Sequence, residues 1–506
     1  MTAIPSQHSS TGDYSSVEHY KRKIRLEDIN VVDSAVLRRA ISAAALGNAM
    51  EWFDFGIYSY LAVTLGHVFF PSSSSSAQLI ATFAAFAVAF IVRPIGGLFF
   101  GPLGDRIGRQ KVLALTMLLM AVSTFCIGLI PSHAAIGIWS PILLLIARMV
   151  QGFSTGGEYG GAATFIAEYS PDRKRGLMGS CLEIGTLLGF VLGAIIVTAF
   201  SMVLSPAEML DWGWRIPFFI AGPLGIVGLY LRMRLEDTPA FKQHMETQGT
   251  TPPKKEVSGI ISGSWRPALI CIGLVLALNV ADYMILSYLP SYLSANLGYD
   301  SNHSLLLILI VMLIMMGVQP IVGALSDRVG RRPIILAGCI GFFVLAWPCF
   351  ALIQTGNGLA IFVGLMLLGL LLNCFLGTMP SALPALFPTA IRYGALAISY
   401  NISTTLFGGT APLLTTWLID VTGNLYMPAF YIMLAAAICG ITVLYTLESA
   451  RKPLQGSTPT ATSATEAAEL FREHREEVKS SIIAIDHEIK RLQETRDSLQ
   501  ESIQSP

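Results

Sequence analysis

The sequence predicts an all-α membrane protein of about twelve transmembrane helices, in two similar six-helix halves, followed by a helical tail. Three observations predict it. The first is composition: of 506 residues, 53% are hydrophobic and only 13% charged, where a soluble domain carries about 25% charged residues. The second is a series of twelve apolar runs, each long enough to cross a bilayer. The third is a loop motif that occurs once in each half.

Runs approaching or exceeding the roughly 20 residues that a spanning helix needs lie at about 36–65, 79–100, 112–131, 141–167, 177–203 and 215–233, and again at 267–293, 304–325, 334–353, 359–384, 393–418 and 427–447. They divide the chain into an N-terminal segment (1–35), a first bundle (36–234), a central loop (235–266), a second bundle (267–447), a linker (448–465) and a tail (466–503). The stretch from Met1 to about Asp33 is polar, so the first run reads as a span rather than a secretory leader. The seven cysteines lie in apolar runs without a CxxC pair and read as small buried hydrophobes.

Basic residues sort to one side. They fill the N-terminus (Lys21, Arg22, Lys23, Arg25, Arg38, Arg39) and alternate loops, while loops 67–78, 132–140, 294–304, 354–358 and 419–427 contain no Lys or Arg. The positive-inside rule then places both termini in the cytoplasm of a bacterial inner membrane. Net charge is zero, with 33 basic and 33 acidic residues, so no basic excess points to nucleic acid. No Walker loop, nucleophile elbow or zinc spacing occurs, so the sequence predicts neither an enzyme nor a metal or cofactor.

Gly101-Pro-Leu-Gly-Asp105-Arg106-Ile-Gly108-Arg109 reappears as Gly323-Ala-Leu-Ser-Asp327-Arg328-Val-Gly330-Arg331, each copy between the second and third span of its half. A weaker echo pairs Pro171-x-x-x-Arg175-Gly176 with Pro388-x-x-x-Arg392-Tyr-Gly394. A parallel repeat of six spans suits two bundles that rock about a central site. Asp105, Arg106, Arg109, Glu168, Arg175, Asp327, Arg328, Arg331 and Arg392 read as gate parts that bridge helices in one state and release in the other.

Ionisable side chains inside the bilayer are costly and mark function. In the first span Glu51, Asp54 and Tyr58 fall at i, i+3 and i+7, on one helical face. At 1.5 Å per residue Asp54 is about 24 Å along the helix from Arg38, near mid-membrane. The fourth span carries Arg148, Gln151, Phe153, Glu158 and Tyr159 on a ladder of Gly152, Gly156 and Gly160, which permits close helix packing. A carboxylate beside a base in a polar cavity exchanges a proton as its burial and partner distance change. Glu51, Asp54, Arg148, Glu158, Glu183 and Asp282 form the expected proton-coupling set; a static buried ion pair is the competing explanation. Arg93, next to Pro94, reads as structural. Ring faces attract quaternary ammonium groups, and Asn48, Trp52, Tyr58, Gln151, Phe153, Tyr159, Asn279, Tyr283 and Tyr400 form the expected substrate-binding set, with a base such as Arg148 for a carboxylate.

The tail repeats apolar residues in heptads, with Ala468, Arg475, Ile482, Ile489, Arg496 and Ile503 on one seam and Phe471, Val478, Ile485, Leu492 and Leu499 on the other. This predicts a coiled coil, expected to pair two subunits in a homodimer, with its two seam arginines restricting register. The Ser/Thr/Pro-rich segment 450–465 reads as a flexible tether.

Gly47-Asn48-x-x-Glu51-Trp52-Phe53-Asp54, the repeated loop motif, and Gln151-Gly152-x-x-x-Gly156-Gly157-Glu158 together resemble the metabolite:proton symporter group of the major facilitator superfamily. Within it the chain is similar to bacterial osmoregulatory proline/glycine betaine:proton symporters. Asp211-Trp212-Gly-Trp214-Arg215-Ile-Pro217 and Phe387-Pro388-x-x-Ile391-Arg392-Tyr393 extend the likeness over nearly the whole chain. The resemblance implies the twelve-helix facilitator fold with a cytoplasmic coiled coil. It also implies proton-driven import of small zwitterions such as proline, betaine and ectoine-like solutes, activated by high osmolality. The same motifs serve importers of oxoglutarate, citrate and shikimate, so a proton symporter for an organic acid is the alternative. A membrane sensor that no longer transports is the third reading.

Overall fold

Inside a bilayer the backbone finds no water to bond, so a spanning chain satisfies its own N–H and C=O groups as helix. In a computed structural model the described residues are 25–72, 74–107, 109–233, 257–389 and 391–504. Their helices group into twelve spans. The first half comprises Ser34–Tyr60 with Ala62–Phe69, Ser75–Ile107, Arg109–Leu129, Trp139–Thr155 with Glu158–Tyr169, Arg175–Val203, and Arg215–Met233. The second comprises Val257–Asp282 continued to Asn296, Ser301–Val329, Arg331–Ile353, Gly358–Leu376 with Met379–Ala382, Arg392–Ser403 continued to Thr422, and Met427–Leu444. Most of the central loop lies outside the described residues.

Seven of these segments are by themselves long and apolar enough to cross a membrane, and the bent pair Pro206–Gly213 and Arg215–Tyr230 makes an eighth. The first, third, fourth and eleventh spans fall short for physical reasons. The first carries Arg38, Arg39, Glu51 and Asp54. The apolar part of the third is the short helix Ala114–Leu129. The fourth breaks at Gly156-Gly157, and the eleventh contains a widened π-turn over Thr404–Gly408. Such breaks are tolerated at membrane depth only where neighbouring protein satisfies the freed groups.

Glycines set the closest contacts. A Cβ at Gly152 would collide with the Ala89 carbonyl, and one at Gly156 would collide with the Arg93 carbonyl. Spans two and four therefore touch backbone to backbone, as the ladder predicts.

Of the residues expected to form a gate, Glu168, Arg175, Asp327, Arg331 and Arg392 make contacts on the face that carries the described ends of the chain. Asp327, near the end of span eight, accepts from the Gly176 and Leu177 amides at 2.8 and 2.9 Å. It thereby caps span five of the opposite half, and Arg331 pairs with the same carboxylate at 2.6 Å. A carboxylate at a helix N-terminus contributes roughly 0.3–1 kcal/mol, up to about 2 when partly buried. A Cβ at Gly176 would lie 2.6 Å from the Gly323 carbonyl, so both glycines are what allow this approach.

The weaker echo is repeated at atomic level. Arg175 Nε donates to the Ala167 carbonyl and Arg392 Nε to the Pro384 carbonyl, each eight residues upstream and each at 3.0 Å. Arg175 pairs with Asp172, and Arg392 pairs with Glu168 of the other half at 2.6 Å. Arg328 is exposed. The side chains of Asp105, Arg106 and Arg109 lie outside the described residues.

The segment expected to be a flexible tether is packed instead. The Lys452 carbonyl accepts from Arg175 and the Gln455 carbonyl from Arg392, both at 2.8 Å. Arg451 donates to the Asp327 carbonyl at 2.9 Å, and the Thr460 amide to Asp172 at 3.2 Å. Thr460–Ala461 (β2) then pairs in parallel with Asn30–Val31 (β1). Polar residues that read as tether therefore serve backbone hydrogen bonding across the gate. The tail helix runs Ala464–Gln504. Its first turns are docked: Ala467, Leu470 and Phe471 pack with Ile29 and Ala461, while Glu469 and Glu473 bridge to Arg173 at 2.9 and 2.6 Å. Phe471 is thus used within the chain rather than on a coil seam. Ile482, Ile485, Ile489, Leu492 and Leu499 remain exposed.

Candidate functional site

Buried charges occur in spans one, two, four, five and seven. Glu51, Asp54, Arg93, Arg148, Glu158, Glu183 and Asp282 are each no more than 4% exposed.

The first four expected members of the proton-coupling set do not form one cluster. Glu51 pairs with Arg93 of span two, a buried ion pair consistent with the structural reading of Arg93. Glu158, Tyr283 and Tyr400 are further electrostatic neighbours of that guanidinium. Asp54 joins a second network. It accepts from Thr124 of span three at 2.7 Å; Thr124 accepts from Gln151 Nε2 at 2.5 Å; and Gln151 Oε1 accepts from Arg148 at 2.8 Å. Asp54 and Arg148 are therefore linked through two polar side chains rather than as a direct pair. The Arg148 guanidinium sits 4.3 Å above the Tyr58 ring and within 5.2 Å of the Phe55 and Phe86 centroids. Such stacking compensates a buried cation by about 2 kcal/mol. Asp54 also borders a cavity of about 10 Å³ beside Met50, Met117 and Leu224, near the least volume that holds one water.

Glu183 lies in a third place. It accepts from Tyr159 at 2.8 Å and from Thr186 at 2.7 Å. Its charged neighbour Asp282 has the same sign, and neither has an ion-pair partner among the described residues. Asp282 immediately precedes a π-turn, Tyr283–Tyr288; such widened turns occur frequently at functional sites.

The expected substrate-binding residues divide. Tyr159 of span four stacks on Tyr400 of span eleven, centroids 4.0 Å apart. Trp52 meets Tyr283 across the interface at 5.6 Å. Tyr58 donates to the Thr82 carbonyl at 3.0 Å and supports Arg148 from below. Asn48 ties span one to span five through Leu182 and Thr186, at 3.0 and 2.7 Å. Asn279 donates to Thr404 in the π-turn of span eleven at 3.2 Å. Phe153 is a correction. It packs on Phe99 and Phe100 at 5.5 and 5.0 Å, and Phe99 faces outward at 55% exposure. Two residues beyond Gln151 on a helix is the opposite side, and that spacing carried the signal. Thr124 was not foreseen, since one threonine in an apolar run carries no pattern.

The family model described as sugar (and other) transporter matches residues 40–459. The chain belongs to the sugar (and other) transporter family of the major facilitator superfamily. Among curated members it is 54% identical over 485 residues to the proline/betaine transporter of Escherichia coli (strain K12), covering 94% of this chain and 97% of the relative. It is 52% identical over the same length to the glycine betaine/proline/ectoine/pipecolic acid transporter OusA of Dickeya dadantii (strain 3937), again covering 94% and 97%. Of solved structures, the E. coli xylose symporter XylE bound to 6-bromo-6-deoxy-D-glucose superposes with a TM-score of 0.67 at 19% identity, covering 87% of this chain and 99% of that one. That likeness establishes the facilitator fold. Family membership and the spans together make the chain a multi-pass membrane transporter.

Proposed function

We propose that this transporter imports small zwitterionic compatible solutes, namely proline, glycine betaine and ectoine-like compounds, in symport with protons and under osmotic activation. It sits in a bacterial inner membrane, with both termini and the gate in the cytoplasm, as the basic loops indicate. The observation that carries the reading is the buried set of charges, in which carboxylates outnumber bases, aromatic rings meet across the interface, and Arg93, Glu183 and Asp282 share Tyr400 as a neighbour.

The chemistry follows from the pairings. Glu51 holds Arg93 in a buried ion pair; protonating Glu51 removes that charge and frees the guanidinium for a substrate carboxylate. The Asp54–Thr124–Gln151–Arg148 chain offers a second proton site whose base is already compensated by rings. Glu158, Glu183 and Asp282 complete the ionisable set. Alternating access requires the Asp327 cap and the Glu168–Arg392 bridge to break when the cytoplasmic side opens. By the internal repeat, Asp105, Arg106 and Arg109 act in the same gate together with Arg175, Arg328 and Arg331. The exposed seam of the tail helix from Ile482 to Leu499 supports a homodimeric coiled coil.

An oxoglutarate or citrate carrier would need cations in excess. Of the two arginines in this set, Arg93 is paired with Glu51 and Arg148 is covered by rings, which disfavours that reading. Radiolabelled glycine betaine and proline uptake, in cells lacking other importers, tests the proposal. Saturable, uncoupler-sensitive accumulation is expected; oxoglutarate or citrate uptake in its place would overturn it.

A further inference from the structure

We propose that Glu183 and Asp282 form the seat for the cationic end of the transported zwitterion, with Arg93 receiving its carboxylate end. The inference rests on the zwitterion reading above and gives the solute a direction in the site. It also separates these two carboxylates from the proton-carrying set in which the sequence places them.

The two acids come from opposite halves, Glu183 from span five and Asp282 from span seven, and Glu183 is the charged neighbour of Asp282. Neither has an ion-pair partner among the described residues, and Asp282 Oδ1 is buried without a hydrogen-bond donor. Glu183 is held by the hydroxyls of Tyr159 and Thr186; unlike Glu51, which faces Arg93, neither acid of this pair is in an ion pair among the described residues. Two acids buried side by side are relieved either by a proton on one of them or by a cation beside them. A substrate supplies one when it binds, and binding then draws the two halves together.

The surroundings select the kind of cation. Tyr60, Tyr159, Tyr283 and Tyr400 all lie within electrostatic range of Asp282, and Tyr159 already holds Glu183. A trimethylammonium or a secondary ring ammonium cannot fill several hydrogen-bond acceptors at once. Carboxylates at a distance with tyrosine faces around them hold such a charge without demanding donors. Tyr283 and Tyr400 are shared with Arg93, so the guanidinium lies within electrostatic range of the same rings and is the base offered to the carboxylate of a compact α- or β-zwitterion.

The test uses tert-butylacetate, the carbon isostere of glycine betaine, which keeps the shape and carboxylate but loses the positive charge. Full-length protein in proteoliposomes is assayed for radiolabelled betaine uptake, with tert-butylacetate as competitor. The unaltered chain is expected to prefer betaine strongly. In Asp282→Asn and Glu183→Gln, KM for betaine should rise about tenfold and the preference should shrink by a similar factor, while the accumulation ratio at saturating betaine persists. Asp282→Glu should restore KM. If the two neutral variants keep KM and preference but lose accumulation, they carry protons and the inference is overturned. A structural defect would lower maximal rate and protein yield without changing the preference, which also overturns it. Should one variant fail to reach the membrane, the other carries the test. Betaine uptake by the unaltered chain without preference over the isostere defeats this inference alone; no uptake of betaine or proline defeats the transport reading itself.

Discussion

Arg93 shows how a residue's partner becomes visible only in the fold. In sequence it is a base beside Pro94 in an apolar run; in the fold it is the partner of Glu51. Removing one member of a buried pair leaves an uncompensated charge, at about 3–5 kcal/mol. Glu51→Gln should therefore abolish accumulation against a gradient, yet leave exchange of labelled for unlabelled solute measurable. Asp54→Asn should do the same through the Thr124–Gln151–Arg148 chain. Accumulation unchanged in both would remove these residues from coupling. The buried positions of the carboxylates and Arg148 were legible because charge in a hydrocarbon run is conspicuous. Their partners were not, because pairing across helices depends on rotation and depth that one span's sequence does not contain. Phe153 was misplaced for the same reason: it shares a segment with Gln151 but not a face.

At the level of elements, the twelve spans were readable from apolar length, and the repeat was readable from the motif. Each of the twelve helical groups overlaps its run. What composition misjudged is the segment after the last span, because Ser, Thr and Pro signal a loop but say nothing about what its backbone touches. Here two gate arginines take their acceptors from it. Truncation after Lys452 removes the Gln455 acceptor and the Glu469 and Glu473 bridges to Arg173. Uptake should persist, with its threshold moved to a different osmolality; an unmoved threshold in proteoliposomes would make the strap a passive cover. Asp327→Asn removes the charge from the cap on span five. It should favour the cytoplasm-open state, seen as faster labelling of a cysteine placed at the gate, whereas unchanged labelling would count against the cap.

For the molecule as a whole, the two halves are held at several depths: Asp327 on span five, Tyr159 on Tyr400, and Trp52 on Tyr283. A Cβ at Gly160 would come within 2.9 Å of the Ala397 Cβ, so spans four and eleven touch directly. The pair Gly160→Cys with Ala397→Cys, in a cysteine-free background, should arrest uptake on oxidation after a shift of about half an ångström to reach disulfide spacing. Reduction should restore it. Full uptake in the crosslinked form would mean that these spans do not separate during the cycle.

The parallel pairing of Asn30–Val31 with Thr460–Ala461 has a practical corollary. Entry to the first span and departure from the last are stitched into one joint, so a reporter fused at either extremity loads the same small ladder. A bulky amino-terminal fusion should disturb regulation much as a carboxyl-terminal one does, and an untagged chain is the proper reference for both.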